Sequence, residues 1–116
     1  MSEYKEYITT YDTTGSVNIS EEVIAAIAAG AVSDVEGVSL YTRQDTIGRK
    51  TMARRVRIRI EENNDIIIDI YVAVSMGTVV SEAAKSVQAA VRTAVESATG
   101  QSVKAINVHV DAVIRR

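Results

Sequence analysis

The sequence predicts an α+β domain in which two helices lie on one face of a mostly antiparallel, four-stranded sheet. Residues 55–61 and 66–74 alternate apolar and polar side chains, as strands with one buried face do. Residues 79–99 repeat apolar side chains at helical spacing and stop at Gly100. The predicted order is strand, helix, strand, strand, helix, strand, and a two-layer sandwich buries these apolar faces economically.

The N-terminal part is predicted to hold an arm, a short strand and the first helix. Residues 1–14 are polar and threonine-rich and are predicted to form an arm, while residues 15–116 form a single domain. A short alternating segment precedes Ser20, which is the predicted N-cap of the first helix. The apolar face that follows is predicted to end at Gly37.

The remaining segments are predicted from local composition. Residues 38–41 are expected to form a brief extended piece. Residues 42–54 have no clear period and contain a glycine, which predicts a loop. Residues 62–65 read ENND and are predicted to form a turn, because asparagine tolerates a left-handed backbone. Residues 102–113 alternate again and are the predicted last strand.

The register of the predicted hairpin follows from keeping apolar residues on one face. A two-residue loop would pair Ile58 with Asp69 and either bury the carboxylate or expose the isoleucines, and both are costly. A three-residue loop is therefore predicted, which sets Ile58 opposite Ile68 or Ile70. Arg57 and Arg59 then lie across from Asp69, Tyr71 or Ile67, depending on which three residues form the loop.

The outward face of this sheet has two interpretations. It is either a solvated face with local ion pairs, in which the arginines are already partnered, or a surface that binds a partner. The candidate interaction face consists of Arg57, Arg59, Asp69, Tyr71, Asn107 and His109.

The segment 43–59 is the most electropositive part of the chain. It holds seven of the 13 lysines and arginines but only one acidic residue, Asp45. A basic loop is usually just solvated, but this is where an anionic contact is most expected. The candidate basic loop residues are Arg43, Arg49, Lys50 and Arg54.

Composition limits the class of protein. The chain has 116 residues, 47% hydrophobic and 24% charged, and a net charge of −2, so no overall field attracts nucleic acid or acidic lipid. The absence of cysteine excludes disulfides and thiolate chemistry. The longest apolar run, 23–32, is half as long as a bilayer-spanning helix, and the N-terminus does not resemble a signal peptide. The sequence therefore predicts a cytoplasmic protein without direct membrane insertion.

Neither catalysis nor specific nucleic-acid recognition is well supported. His109 is the only histidine, and the glycines are too scattered to cradle a phosphate, so no catalytic, metal or cofactor site is predicted. The predicted topology is shared with RNA-recognition motifs, which stack bases on aromatic residues of their two middle strands. At the outward positions of the corresponding strands this chain offers one tyrosine, Tyr71, and it has no Phe or Trp. Salt-sensitive phosphate binding through residues 43–59 is the alternative function that stays open.

Three segments carry a family resemblance. Residues 15–38 read GSVNISEEVIAAIAAGAVSDVEGV, a strand leading through a cap into a helix. Residues 71–77 read YVAVSMG, a strand that runs into a glycine. Residues 87–113 contain the long helix, its stop at Thr99 and Gly100, and a final strand with INVHV at 106–110. In order and spacing they resemble the alkaline shock protein family of bacterial envelope stress response proteins, over about residues 15–113.

The resemblance implies a cytosolic, non-enzymatic adaptor or scaffold in cell-envelope homeostasis, mainly of Gram-positive bacteria. It implies a membrane-anchored protein partner, a membrane-peripheral location borrowed from that partner, and self-association in some members. The family offers no catalytic residues to carry over. The chain departs from the family pattern at 42–54, which is short and basic where many members have a longer insertion, and at Ser81, where a proline is common.

Overall fold

The computed structural model describes residues 4–41 and 55–115, and it confirms the α+β class. In those ranges the chain forms six strands and two helices. In chain order they are β1 (Tyr7–Asp12), β2 (Gly15–Ser20), α1 (Glu21–Ser33), β3 (Val38–Leu40), β4 (Val56–Ile60), β5 (Ile66–Ser75), α2 (Val80–Thr99) and β6 (Val103–Ile114). Strand β1 is absent from the predicted order of elements, whereas β3 confirms the brief extended piece expected at 38–41.

Strand β5 is the centre of the main sheet. One of its edges pairs antiparallel with both β3 and β4, and the other pairs in parallel with β6 along its whole length. The β5–β6 pairing contains irregularities where β6 has an extra residue, between Val103 and Ala105 and again between Val110 and Ala112. The ten-residue strand β5 is therefore covered on both edges, as its nearly continuous burial requires.

Strands β3 and β4 are two halves of one interrupted strand. Leu40 pairs with Val72, and Val56 pairs with Ile70, so one position opposite β5 lies between them. That position faces Tyr71. The Tyr41 N–H donates to the Tyr71 carbonyl, and the Tyr71 N–H donates to the carbonyl of Arg55, both at 2.9 Å. Tyr41 and Arg55 thus supply the two backbone groups that one residue of an uninterrupted strand would supply.

The turn between β4 and β5 confirms the predicted three-residue loop. The Glu61 N–H donates to the Asp65 carbonyl, which leaves residues 62–64 as the loop. Asn64 has a φ of 70°, the left-handed conformation expected at the end of such a loop. Ile58 consequently pairs with Ile68, which is one of the two predicted registers.

The two helices pack on the face of the sheet that carries the alternating isoleucines. The Ser20 hydroxyl accepts a hydrogen bond from the Val23 N–H, which confirms the predicted N-cap of α1. The helix ends at Ser33 and not at Gly37 as predicted, because the N–H of Asp34 turns back to Ala31 and Val32. Helix α2 ends as predicted, with Gly100 in a left-handed conformation. The core includes Ile24, Ala28 and Val32 of α1, Val87, Val91 and Val95 of α2, and Ile58, Ile60, Ile66, Ile68 and Ile70 of the sheet.

The N-terminal residues form a hairpin that is outside the main sheet. Strand β2, predicted to be the first strand of that sheet, pairs antiparallel with β1 instead. Residues 4–14 of the predicted arm therefore contain β1, whose Ile8 is fully buried in the core. One backbone bond, from the Lys5 N–H to the Ile60 carbonyl at 2.8 Å, links this region to the edge of β4.

Side chains of α2 cover the start of the outer edge of β6. The Val103 N–H donates to the Glu96 carboxylate at 2.8 Å, and Arg92 donates to the carbonyl of Val103. Gln88 donates to the carbonyl of Ile106 at 2.9 Å. The three helical residues are spaced four apart, so they lie in one row along the helix. They occupy backbone groups that an incoming strand would need.

Neither helix in the described ranges has the length and apolar content needed to cross a membrane.

Candidate interaction face

The face of the main sheet opposite the helices carries a regular array of side chains. Alternation along the strands and the observed registers place nine residues there in three rows, next to a further row of Ser39, Ala73 and Ala112. The rows are Arg55–Tyr71–His109, Arg57–Asp69–Asn107 and Arg59–Ile67–Ala105. We call these nine residues the outer face.

Asp69 is the centre of the outer face and is nearly buried, with 9% of its surface exposed. Its Oδ2 lies 2.6 Å from Nη2 of Arg59. Its Oδ1 accepts a hydrogen bond from the Asn107 side-chain amide at 3.0 Å and lies 3.4 Å from Nε2 of His109. The carboxylate thus ties together side chains from β4 and β6 across the central strand.

These contacts determine the ionisation of Asp69. Burial by itself would raise the pKa of its carboxyl group. The hydrogen bonds from Asn107, Arg59 and His109 together outweigh burial and hold the pKa of Asp69 below its ordinary value. Asp69 is therefore a fixed negative charge at neutral pH, and it is neutralised locally by Arg59.

Arg59 is held from two sides. Its hydrogen bond to Asp69 raises the pKa of its guanidinium above the ordinary value, and Tyr4 contributes in the same direction. The guanidinium carbon lies 6.0 Å from the centre of the Tyr4 ring, within the range of a cation–π contact. The N-terminal residues thus contribute to the rim of the outer face.

Tyr71 and His109 form the flat part of the outer face. Their rings stack with centroids 4.6 Å apart and planes inclined by only 15°. The pair lies on adjacent parallel strands at registered positions. Stacking limits the rotation of both rings, so this part of the face is preorganised.

Arg57 differs from Arg59 although both were predicted to be partnered. Arg57 is exposed and lies directly opposite Asp69, yet the carboxylate pairs with Arg59. Within residues 4–41 and 55–115, no carboxylate forms an ion pair with Arg57 or with Arg55. The prediction that these arginines already have partners is therefore right for Arg59 and wrong for Arg57 among the described residues.

The structure brings the six predicted face residues onto one surface. The four candidate basic loop residues, Arg43, Arg49, Lys50 and Arg54, lie outside the described residues. Sequence reasoning missed Arg55 and Tyr4 as members of the site. Arg55 belongs to the alternating arginines and could have been found from that pattern, whereas nothing local to Tyr4 indicates its contact with Arg59.

The outer face carries polar and aromatic groups. It offers guanidinium and amide donors, one neutralised carboxylate and a stacked ring pair. Among the described residues, no group of three or more His, Cys, Asp or Glu side chains is arranged to hold a metal ion.

Comparison with known proteins identifies the family. The profile of the alkaline shock protein family, whose description reads "cell envelope-related function", matches residues 9–115, nearly the whole chain. The chain belongs to the alkaline shock protein family. The resemblance seen in the sequence is thereby confirmed, and so is a general role related to the cell envelope.

Individual relatives agree with this membership. The chain is 35% identical over 107 residues to the uncharacterized protein YloU of Bacillus subtilis (strain 168), covering 85% of this chain and 88% of that protein. It is 29% identical over 108 residues to the uncharacterized protein Spy1535 of Streptococcus pyogenes serotype M6, covering 90% and 84%. No solved structure matches this member of the alkaline shock protein family significantly.

Proposed function

We propose that this member of the alkaline shock protein family is a non-enzymatic adaptor or scaffold of the cell envelope that works by protein–protein contact. It is located in the cytoplasm, and it reaches the membrane by binding a membrane-anchored partner and by associating with further copies of itself. The outer face is the surface that binds the partner.

One observation carries the proposal: the outer face is organised, but the helices do not cover it. Both helices pack on the opposite side of the sheet. On the outer side, Asp69 holds Arg59, Asn107 and His109 in defined positions, and Tyr71 stacks on His109. A preorganised polar surface loses little conformational freedom on binding, which favours specific recognition of a partner.

The proposal is tested by charge reversal at Arg57, with a matched control on the other side of the molecule. Lys85 is exposed on α2, so Lys85→Glu changes the net charge by the same amount as Arg57→Glu. The tagged full-length variants are produced in the native cell, treated with nuclease, and compared by recovery in the membrane fraction and by crosslinking.

We expect the wild type and Lys85→Glu to be recovered in a nuclease-resistant complex with a membrane protein. Arg57→Glu should lose that complex while it remains folded, although a carboxylate opposite Asp69 should lower its thermal unfolding temperature slightly. Equal recovery of the two variants would remove the outer face from the proposal. Loss of every complex on nuclease treatment would instead support the nucleic-acid alternative.

A further inference from the structure

We infer that the outer face binds an extended, acidic segment of a protein partner, in which carboxylates stand at alternate positions. This inference rests on the proposed function, because it names the chemistry of the partner at the same surface.

The charge of the outer face is opposite to that of the whole chain. The chain has a net charge of −2. The outer face holds three arginines, Arg55, Arg57 and Arg59, against the single carboxylate of Asp69. Since Asp69 is occupied by Arg59, the other two guanidinium groups are not compensated within the face. The surface therefore complements an anionic partner.

The two uncompensated arginines have unused donors. Arg57 is exposed and has no ion pair among the described residues. The Nε atoms of Arg55 and of Arg59 are both buried and have no hydrogen-bond partner in the structure, so this feature does not distinguish the two arginines. A buried donor without a partner is costly, and a guanidinium fork fits a carboxylate through two parallel hydrogen bonds. A bound carboxylate would supply the acceptors that the exposed guanidinium of Arg57 lacks.

The spacing of these arginines favours an extended polypeptide. Arg55 and Arg57 are two residues apart along the strand direction, which corresponds to about 6.6 Å in a β-strand. Side chains at alternate positions of another extended chain repeat at the same distance and on one side. Two carboxylates in an acidic residue–any residue–acidic residue pattern would therefore meet the two guanidinium groups in register.

Other anionic partners fit the face less well. Single-stranded nucleic acid needs several rings on which bases stack, whereas Tyr71 and His109 are already stacked on each other. An acidic peptide can place individual carboxylates on the arginines and uncharged side chains over Asp69 and the ring pair.

The inference is tested with the full-length protein and defined probes. The main probe is a fluorescent twelve-residue peptide of alternating glutamate and serine, about the length that spans one strand. A peptide of the same composition with its glutamates in one block is the control for spacing. Vesicles containing phosphatidylserine, a single-stranded oligonucleotide and inorganic phosphate are the control anions. Binding is measured by anisotropy or co-sedimentation at low and at physiological salt.

We expect the alternating peptide to bind the wild type more tightly than the blocked peptide does. Arg57→Glu should weaken binding of the alternating peptide by about tenfold or more, Arg57→Gln by less, and Lys85→Glu by less than about twofold. Hydrogen exchange of β4 and β5 verifies that each variant is folded.

Three results would overturn the inference: no binding of the alternating peptide, binding that Arg57→Glu leaves unchanged, or Arg57-dependent binding of only the vesicles or the oligonucleotide. The membrane recovery experiment separates this inference from the proposed function. If the peptide does not bind but Arg57→Glu still loses its membrane complex, the inference is wrong and the adaptor function stands. If recovery does not depend on Arg57, the adaptor function of this face fails as well.

Discussion

Arg59 reaches diagonally across the sheet to Asp69 and closes to 2.6 Å, although the strand register sets Arg57 directly opposite that carboxylate. The two arginines of β4 therefore differ in their contacts. Arg59 is an internal part of the face, fixed by its ion pair and by Tyr4. Arg57 remains exposed, so the same strand supplies both the support of the surface and a charge that a partner can contact.

Removing the central carboxylate should destabilise the fold. Asp69→Ala deprives Arg59 and Asn107 of their acceptor, and we expect the free energy of unfolding to fall by about 1–3 kcal/mol. Asp111→Ala is the matched control, since Asp111 is exposed in β6, and it should change the free energy by less than about 0.5 kcal/mol. Urea unfolding measures both. Similar losses for the two variants would show that the Asp69 contacts contribute nothing to stability.

The same carboxylate should make stability depend on acid pH. The pKa of Asp69 is lowered in the folded protein, so the folded state binds a proton less readily than the unfolded state does. Its stabilising contribution is therefore complete above the ordinary carboxyl pKa of 3.8 and is lost as pH falls through the lower folded value.

Asp69→Asn should remove this contribution to the pH dependence. The exposed Asp12, whose pKa the Thr14 side chain and backbone lower, titrates in the same range and is present in both proteins. The difference between wild type and Asp69→Asn in urea unfolding from pH 6 to pH 2 thus isolates Asp69. A difference that stays constant over this range would contradict the assignment.

The row of side chains from α2 should protect the edge of β6. Glu96→Ala leaves the Val103 N–H without its acceptor, so we expect a loss of about 1 kcal/mol and an increase in association through the opened edge. Glu96→Gln keeps an acceptor oxygen and serves as the control. Light scattering after size-exclusion chromatography would show species larger than those of the wild type for the alanine variant but not for Glu96→Gln. If both variants have the same mass distribution as the wild type, the row does not protect this edge.

Asn64 should have two separable roles in the β4–β5 turn. Its left-handed backbone suits glycine, while its side chain accepts from Lys5 Nζ at 2.6 Å and donates to the Thr9 carbonyl at 3.3 Å. Asn64→Gly keeps the turn but loses these contacts, and Asn64→Ala strains the turn as well. We expect the alanine variant to be less stable than the glycine variant by about 1–2 kcal/mol in urea unfolding.

Hydrogen exchange in the N-terminal hairpin tests the second role of Asn64. Both variants should speed exchange of the β1 amides compared with the wild type, because both release the hairpin from the turn. Unchanged exchange would show that the Asn64 side chain does not hold the hairpin in place.

The sequence was sufficient for the parts of the fold that depend on alternation and on local capping. The isoleucines of β4 and β5 alternate so strictly that only a register such as Ile58 opposite Ile68 keeps them on one face. Ser20 and Gly100 mark helix ends through contacts within a few residues, and such signals are local. The six residues of the candidate face follow from the same alternation.

The features that sequence reasoning missed depend on contacts between distant residues. Strand β1 is largely exposed and buries Ile8 but none of its other residues, so its composition resembles that of an arm. Sequence reasoning did not place β3 on the edge of β5 that β4 occupies, because Leu40 and its partner Val72 lie far apart in sequence. The choice of Arg59 over Arg57 depends on side-chain reach, which a pattern of residue types does not contain.

The interruption opposite Tyr71 has a consequence for how the length of the connection between Tyr41 and Arg55 can vary. Because Tyr41 and Arg55 already satisfy both backbone groups of Tyr71, we expect a longer connection between them to leave the register of the sheet unchanged. The entropy of closing such a connection rises by only about 0.6 kcal/mol for each doubling of its length. Insertions and deletions at this position can therefore accumulate in a lineage at little cost to the core. The register of the isoleucines of β4 and β5 beneath the outer face is fixed by their own pairing and therefore does not depend on the length of that connection.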